Sequence, residues 1–166
     1  YTATRIKKTQ ALQNPKRGRS LFANILIVCV GNICRSPMAE GLLKHQLAQL
    51  TKTNHFVTSA GLNALVGHKA DEKACQVLMQ KGIDISSHRA SQLNSVMVRK
   101  ADLILVMETL HKKAIEDNEP GARGKVFRLG EWGKFEIADP YQKDLSIFEN
   151  SAFLIEQGIS QWLTKL

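Results

Sequence analysis

The sequence has little cysteine, few aromatic residues and no long apolar run, and each shortage excludes a class of protein. Its three cysteines, at positions 29, 34 and 75, are odd in number and none stand at Cys-x-x-Cys spacing, which argues against a disulfide-stapled secreted domain and against a cysteine zinc site. The five histidines, at 45, 55, 68, 88 and 111, keep no ligand spacing with one another or with carboxylates, so no metal and no other cofactor is expected. The longest apolar runs, residues 25–30 and 103–107, fall far short of the roughly 20 residues that a spanning helix needs. The N-terminal segment lacks the apolar region of a secretory signal, and the expected location is cytoplasmic.

Acidic residues are missing from one stretch in particular. Residues 1–23 contain Arg5, Lys7, Lys8, Lys16, Arg17 and Arg19 and no Asp or Glu, so six of the eight net positive charges lie there. The basicity belongs to this stretch and not to residues 24–166, and without a recognition motif or clustered aromatics no nucleic-acid partner is expected. Residues 1–23 lack a sustained apolar period and contain Pro15 and Gly18. They read as a basic extension, either solvated or an electrostatic arm for an acidic partner or an anionic membrane surface. Residues 24–166 are then a single domain, long enough to bury a core, in a chain of 43% apolar content.

What is present is organised around Cys29-Val30-Gly31-Asn32-Ile33-Cys34-Arg35-Ser36-Pro37. The apolar run at 25–28 before it is a strand, and Pro37 suits the first turn of a helix, where its missing N–H has no intrahelical partner. A tight loop between strand and helix turns backbone N–H groups inward, and the helix behind it adds partial positive charge, so the stretch predicts an anion cradle of phosphate size. Gly31 offers unrestricted backbone angles and Asn32 tolerates left-handed geometry. Cys29 at the mouth of the cradle would be held as a nucleophilic thiolate, and Arg35 offers a planar fork for two phosphate oxygens.

The rest of the chain supplies a parallel α/β architecture. Met38, Leu42, Leu43, Leu47 and Leu50 recur at helical spacing, residues 55–59 read as a second strand, and Asp71 caps a helix whose face is Ala74, Cys75, Leu78 and Met79. A weak helical pattern at Leu93, Val96 and Met97 precedes a third strand at 102–107, which lacks alternation and is therefore buried on both faces. A polar helix at 108–118, a fourth strand at 125–129, an irregular loop at 130–141 and a final helix come next, the last with a capping box from Ser146 to Glu149 and an apolar face reaching Leu166. Four strands alternating with helices predict a four-stranded parallel sheet flanked by helices on both faces, a three-layer α/β/α sandwich.

The Cys-x5-Arg spacing with Gly-Asn-Ile-Cys-Arg-Ser-Pro inside it is similar to the signature of the low molecular weight protein tyrosine phosphatases. The resemblance runs from residue 24 to 166 and implies that family's fold. It also implies that Cys29 is the nucleophile, that Val30 to Ser36 form the phosphate-binding loop with Arg35 holding the phosphate, and that Ser36 supports the thiolate. Ala138-Asp139-Pro140-Tyr141 matches the family's Asp-Pro-Tyr motif, which makes Asp139 the general acid and Tyr141 an aromatic wall of the substrate pocket. By the same match Ser59 and His88 hold Asn32 in its strained turn, Leu65 is a second pocket wall, and Cys34 is the redox partner of Cys29. Gln142, where eukaryotic members carry a second aromatic, points to the bacterial branch, while Ser91 stands where many relatives have Arg.

The function expected from this resemblance is hydrolysis of phosphotyrosine, and of small aryl phosphates, through a phosphocysteine intermediate. The expected partner is a bacterial tyrosine autokinase controlling capsule or exopolysaccharide export, with inhibition by phosphate-like oxyanions and a monomeric enzyme. Two other readings use the same loop. An arsenate reductase needs two further cysteines, and only Cys75 lies beyond the loop; a silent phosphotyrosine-binding module would be favoured by loss of Cys29, Arg35 or Asp139, all of which are present.

Overall fold

The structure is a computed structural model that describes residues 21–166. The basic residues at 5–19 lie outside the described part. The first strand, β1 (Asn24–Cys29), points Ile25, Ile27 and Cys29 to one face and Leu26 and Val28 to the other, all buried. It pairs in parallel with β2 (Phe56–Gly61) on one side and β3 (Leu103–Val106) on the other, and β3 pairs in parallel with β4 (Val126–Arg128), giving the order β2-β1-β3-β4. The two central strands show no apolar alternation because both of their faces meet a core.

One core joins the sheet to α1 (Arg35–Gln49), α2 (Glu72–Met79) and α5 (Leu145–Leu163), through residues such as Met38, Leu42, Leu78, Phe148 and Ile155. The other joins it to α3 (Ser95–Lys100) and α4 (Thr109–Asn118), with Val98, Ile115 and Ala122 as the helical and turn contributors. This is the expected three-layer sandwich. Each fully buried aliphatic side chain contributes about 1.5–3 kcal/mol relative to exposure. Since all four strands run the same way, the segments after their C-terminal ends meet at one edge of the sheet, where ligand loops of parallel α/β folds gather. Among the described residues no helix is long and apolar enough to cross a membrane.

Several local expectations are corrected. The buried stripe of α2 is Ala74, Val77 and Leu78, whereas Met79 is exposed and Cys75 only half-buried; positions i, i+3 and i+4 share a helical face, and 75 and 79 fall on its flank. Leu50 caps α1 and is exposed, so it does not extend the stripe. Val98, not Val96, is the buried residue of α3. The capping box at Ser146 does not form: α5 starts two residues earlier, at Leu145, behind an extended Asp144 that makes no side-chain cap bond, which places Ser146 inside the first turn. Gly31 needs no left-handed φ, which falls on Asn32 at +57°. At the N-terminal end, Phe22 packs against the first core and the Ala23 carbonyl accepts from Phe56 N–H at 2.7 Å.

Candidate active site

The loop between β1 and α1 has its polar groups sorted by direction. Six consecutive carbonyls accept hydrogen bonds from their surroundings: Cys29 from Leu62 N, Val30 from Asn63 N, Gly31 from Leu65 N, Asn32 from His88 Nε2, Ile33 from Asp71 N and Cys34 from Met38 N, at 2.7–3.2 Å. The N–H groups of residues 31–35 donate to no protein acceptor among the described residues. A run of uncommitted N–H groups held in place by their own carbonyls, in front of the start of a 15-residue helix, is a preorganised anion site. Neighbouring loops come close to complete it; at Gly61, which ends β2, a Cβ would lie 2.5 Å from the Val30 carbonyl oxygen, so only glycine fits there.

Asn32 is fully buried and left-handed, and four groups hold it. Its Nδ2 donates to Ser36 Oγ at 2.7 Å and to Ser59 Oγ at 3.0 Å, its Oδ1 accepts from Ser91 N–H at 2.9 Å, and its carbonyl accepts from His88 Nε2 at 2.7 Å. The Ser91 contact uses the backbone, so the residue type at 91 does not affect it. Ser36 Oγ also lies 2.9 Å from Cys29 Sγ. Because that oxygen already accepts from Asn32, its own proton is free to point at the sulfur.

Arg35 is buried to 1% exposure. Its Nη1 donates to Glu108 Oε2 at 2.7 Å and to the Ile137 carbonyl at 2.8 Å, and its Nη2 lies 3.7 Å from Asp139 Oδ2. Asp139 sits in the segment after β4, half-exposed, and accepts from Tyr141 N–H at 3.1 Å. Cys29, Cys34, Arg35, Asp139, Tyr141, Leu65, Val30, Gly31, Ile33 and Asn63 line one pocket of about 180 Å³. A cleft of about 490 Å³ opens on the far side of the Asn32 clamp, where Ser59, His88 and Ser91 line it together with Phe56, Arg89 and Lys100. It contains neither a thiol nor Arg35, so size does not mark the reactive site.

Cys34 is a free thiol in the same pocket as Cys29. Burial pushes its pKa up, the charges of Asp71, Asp139 and Cys29 add to that, and Arg35 opposes it, so it remains a thiol at neutral pH. Glu108 and His111 escaped the sequence reading. The available signal was position: Glu108 follows β3 almost directly, at the strand end where site residues collect. Among the described residues no three His, Cys, Asp or Glu side chains gather where a metal could be held.

Comparison with known proteins places the chain in a family. The family model of the low molecular weight phosphotyrosine protein phosphatases matches residues 24–166. A probable low molecular weight protein-tyrosine-phosphatase, EpsP of Ralstonia nicotianae, is 47% identical over 146 residues, covering 88% of this chain and 97% of its own. Among solved structures, Wzb of Vibrio vulnificus in complex with benzylphosphonate superposes with a TM-score of 0.82 at 39% identity, covering 87% of this chain and 99% of the other. The arginine phosphatase YwlE of Geobacillus stearothermophilus superposes with a TM-score of 0.79 at 34% identity, covering 86% and 92%.

Proposed function

The chain belongs to the family of low molecular weight protein-tyrosine phosphatases, and on that premise we propose which residues carry out the reaction and what it acts on. Cys29 attacks phosphorus, the S–P bond forms as the P–O bond to the leaving group breaks, and Asp139 gives its proton to the departing phenolate oxygen. Water then attacks the phosphocysteine, losing its proton to Asp139, and phosphate leaves as Cys29 returns to thiolate. The N–H groups of the loop and Arg35 hold the three equatorial oxygens through both steps. Ser36 donates to the sulfur, and Asn32, with Ser59 and His88 behind it, keeps Ser36 in position.

The observation that carries this reading is the convergence on one 180 Å³ pocket of a buried thiol, a buried guanidinium and an aspartate from the opposite loop. The same fold serves an arginine phosphatase, so the fold does not choose the leaving group. The walls favour an aryl group: Tyr141, Leu65 and Val30 offer apolar surface at 37–42% exposure around the mouth, and benzylphosphonate bound to the Vibrio relative has that shape.

The physiological substrate we propose is a phosphorylated tyrosine autokinase of capsule or exopolysaccharide export, the pairing that the resemblance to the bacterial branch implies. In this reading the enzyme works as a cytoplasmic monomer. Residues 24–166 are the catalytic domain and residues 1–23 an extension to it. Phosphate and its analogues compete with substrate for the loop. Cys34 protects the nucleophile: once Cys29 is oxidised to sulfenic acid by peroxide, Cys34 displaces water to form a disulfide that thiols reverse.

The test is metal-free hydrolysis of an aryl phosphate, a phosphotyrosine peptide and a phosphoarginine peptide, comparing wild type with Cys29→Ser and Asp139→Asn. Turnover of the first two that vanishes with Cys29→Ser supports the assignment. A preference for phosphoarginine would reverse the substrate reading, and inert wild type would end it.

A further inference from the structure

The strongest contact of Arg35 is to a residue that the proposed reaction leaves unused. Glu108 Oε2 accepts from Arg35 Nη1 at 2.7 Å and lies 3.1 Å from His111 Nε2. His111 is 6% exposed, and its Nδ1 is buried without a hydrogen-bond partner. Burial lowers the His111 pKa and the Arg35 charge adds to that, against the opposing charges of Glu108, Asp139 and Glu136. With Nε2 3.1 Å from a carboxylate oxygen and Nδ1 unpartnered, the ring carries a proton on Nε2 toward Glu108.

The consequence falls on the geometry of the guanidinium. Arg35 has five N–H groups in a fixed plane. Nη1 spends its two on Glu108 and the Ile137 carbonyl. The Nε–H and the two Nη2 protons make no hydrogen bond among the described residues, and Nη2 is the end nearest Asp139, in the pocket. A fork held along one edge presents the other edge to an incoming anion, and two parallel N–H bonds to two phosphoryl oxygens require that edge.

We propose that Glu108 is a positioning residue of this phosphatase: it fixes Nη1 so that the Nε and Nη2 edge of Arg35 meets the phosphoryl group, and His111 orients Glu108. The proposal rests on the phosphatase reading of the site and adds two residues to it. Glu108 comes from the end of β3 and His111 from α4, so the sheet and the helix on its far face together aim a side chain that belongs to the loop after β1.

The experiment measures inorganic phosphate binding by calorimetry and aryl phosphate kinetics for wild type, Glu108→Ala, Glu108→Gln, Glu108→Asp and His111→Asn, with thermal unfolding of each. Glu108→Ala is expected to weaken phosphate binding and raise KM about tenfold and to lower kcat/KM about 10²-fold, the effect of misplacing a catalytic group by about 1 Å. Glu108→Gln, which keeps an acceptor oxygen, recovers part of the phosphate affinity, and His111→Asn shows a smaller loss in the same direction. A folded Glu108→Ala with phosphate affinity and kcat/KM within twofold of wild type would overturn the proposal, as would a lowered melting temperature with unchanged phosphate affinity. If Glu108→Ala does not fold, Glu108→Asp, whose shorter side chain draws the carboxylate away from Nη1, decides by the same thresholds. Wild type that binds phosphate without turnover overturns the phosphatase reading alone, and the phosphate affinities still judge Glu108.

Discussion

The loop that carries Cys29 and the loop that carries Asp139 face each other across one pocket, and they are built in opposite ways. In the first, every carbonyl from residue 29 to 34 is hydrogen-bonded and residues Asn32, Arg35 and Ser36 are all at or below 1% exposure. In the second, Asp139 is half-exposed, Tyr141 is 42% exposed, and the carboxylate has one hydrogen bond and one 3.7 Å ion pair. The anion site must exist before substrate arrives, because dipoles that reorganise during the reaction lose their advantage. The acid must approach a leaving group of variable shape, and a lightly held carboxylate can do so. The contrast teaches that substitutions in the first loop should cost stability and activity together, and those in the second activity alone.

The largest expected effect is Cys29→Ser, which should lower kcat by at least about 10⁴-fold with phosphate binding retained, since the hydroxyl fits the cradle but does not attack. Steady-state kinetics and calorimetry on the same sample check both halves. Next is Asp139→Asn, predicted to lower kcat by about 10²–10⁴-fold for alkyl or poor phenol leaving groups and far less for nitrophenol, with a melting temperature equal to wild type. A matching loss for all leaving groups would show that Asp139 does not protonate.

Asn32 sharpens the contrast on the side of stability. Asn32→Ala leaves the Ser91 N–H and the two serine hydroxyls short of a partner and forces alanine to φ +57°, and should cost roughly 2–4 kcal/mol together with most of the activity. Asn32→Gly tolerates the φ and should be milder by about 1 kcal/mol; denaturant unfolding separates the two terms.

His111 gives the pH test. Its pKa is lowered in the folded protein, so between that value and the usual ~6.5 the unfolded chain binds more protons. Its contribution to stability is complete above ~6.5 and is lost as pH falls through the folded value. Melting temperature should therefore drop more between pH 7 and pH 5 in wild type than in His111→Asn. The smallest effect belongs to the rim: Tyr141→Ala should raise KM a few-fold and change stability by less than about 0.5 kcal/mol, and a change above 1 kcal/mol would mean that the second loop is built like the first.

Much of the fold was legible because the signals were local. The β1 and β3 runs announce buried strands through missing alternation, Gly-Asn followed by Arg-Ser-Pro announces the turn and the helix start, and Asp71 caps α2 by accepting from Lys73 N–H at 2.8 Å. The misreadings were also local and came from ambiguities of two positions: whether Val77 or Met79 completes a helical face, and whether Asp144 or Ser146 precedes α5. Each is decided by which neighbour the helix packs against. Cys29, Arg35 and Asp139 were readable as candidates from spacing and resemblance, and the structure brings them to one pocket.

The sequence by itself determined the strand and helix order, the parallel three-layer architecture and the residue types at the anion loop, since apolar periodicity and turn chemistry act within a few residues of chain. Only the tertiary structure decided that Glu108, 73 residues away, holds Arg35, that His111 stands behind it, and that the backbone of residue 91 rather than its side chain completes the hold on Asn32. Those contacts depend on where four parallel strands end, and that is fixed by sheet register and by the packing of two helical layers, not by any pattern along the chain.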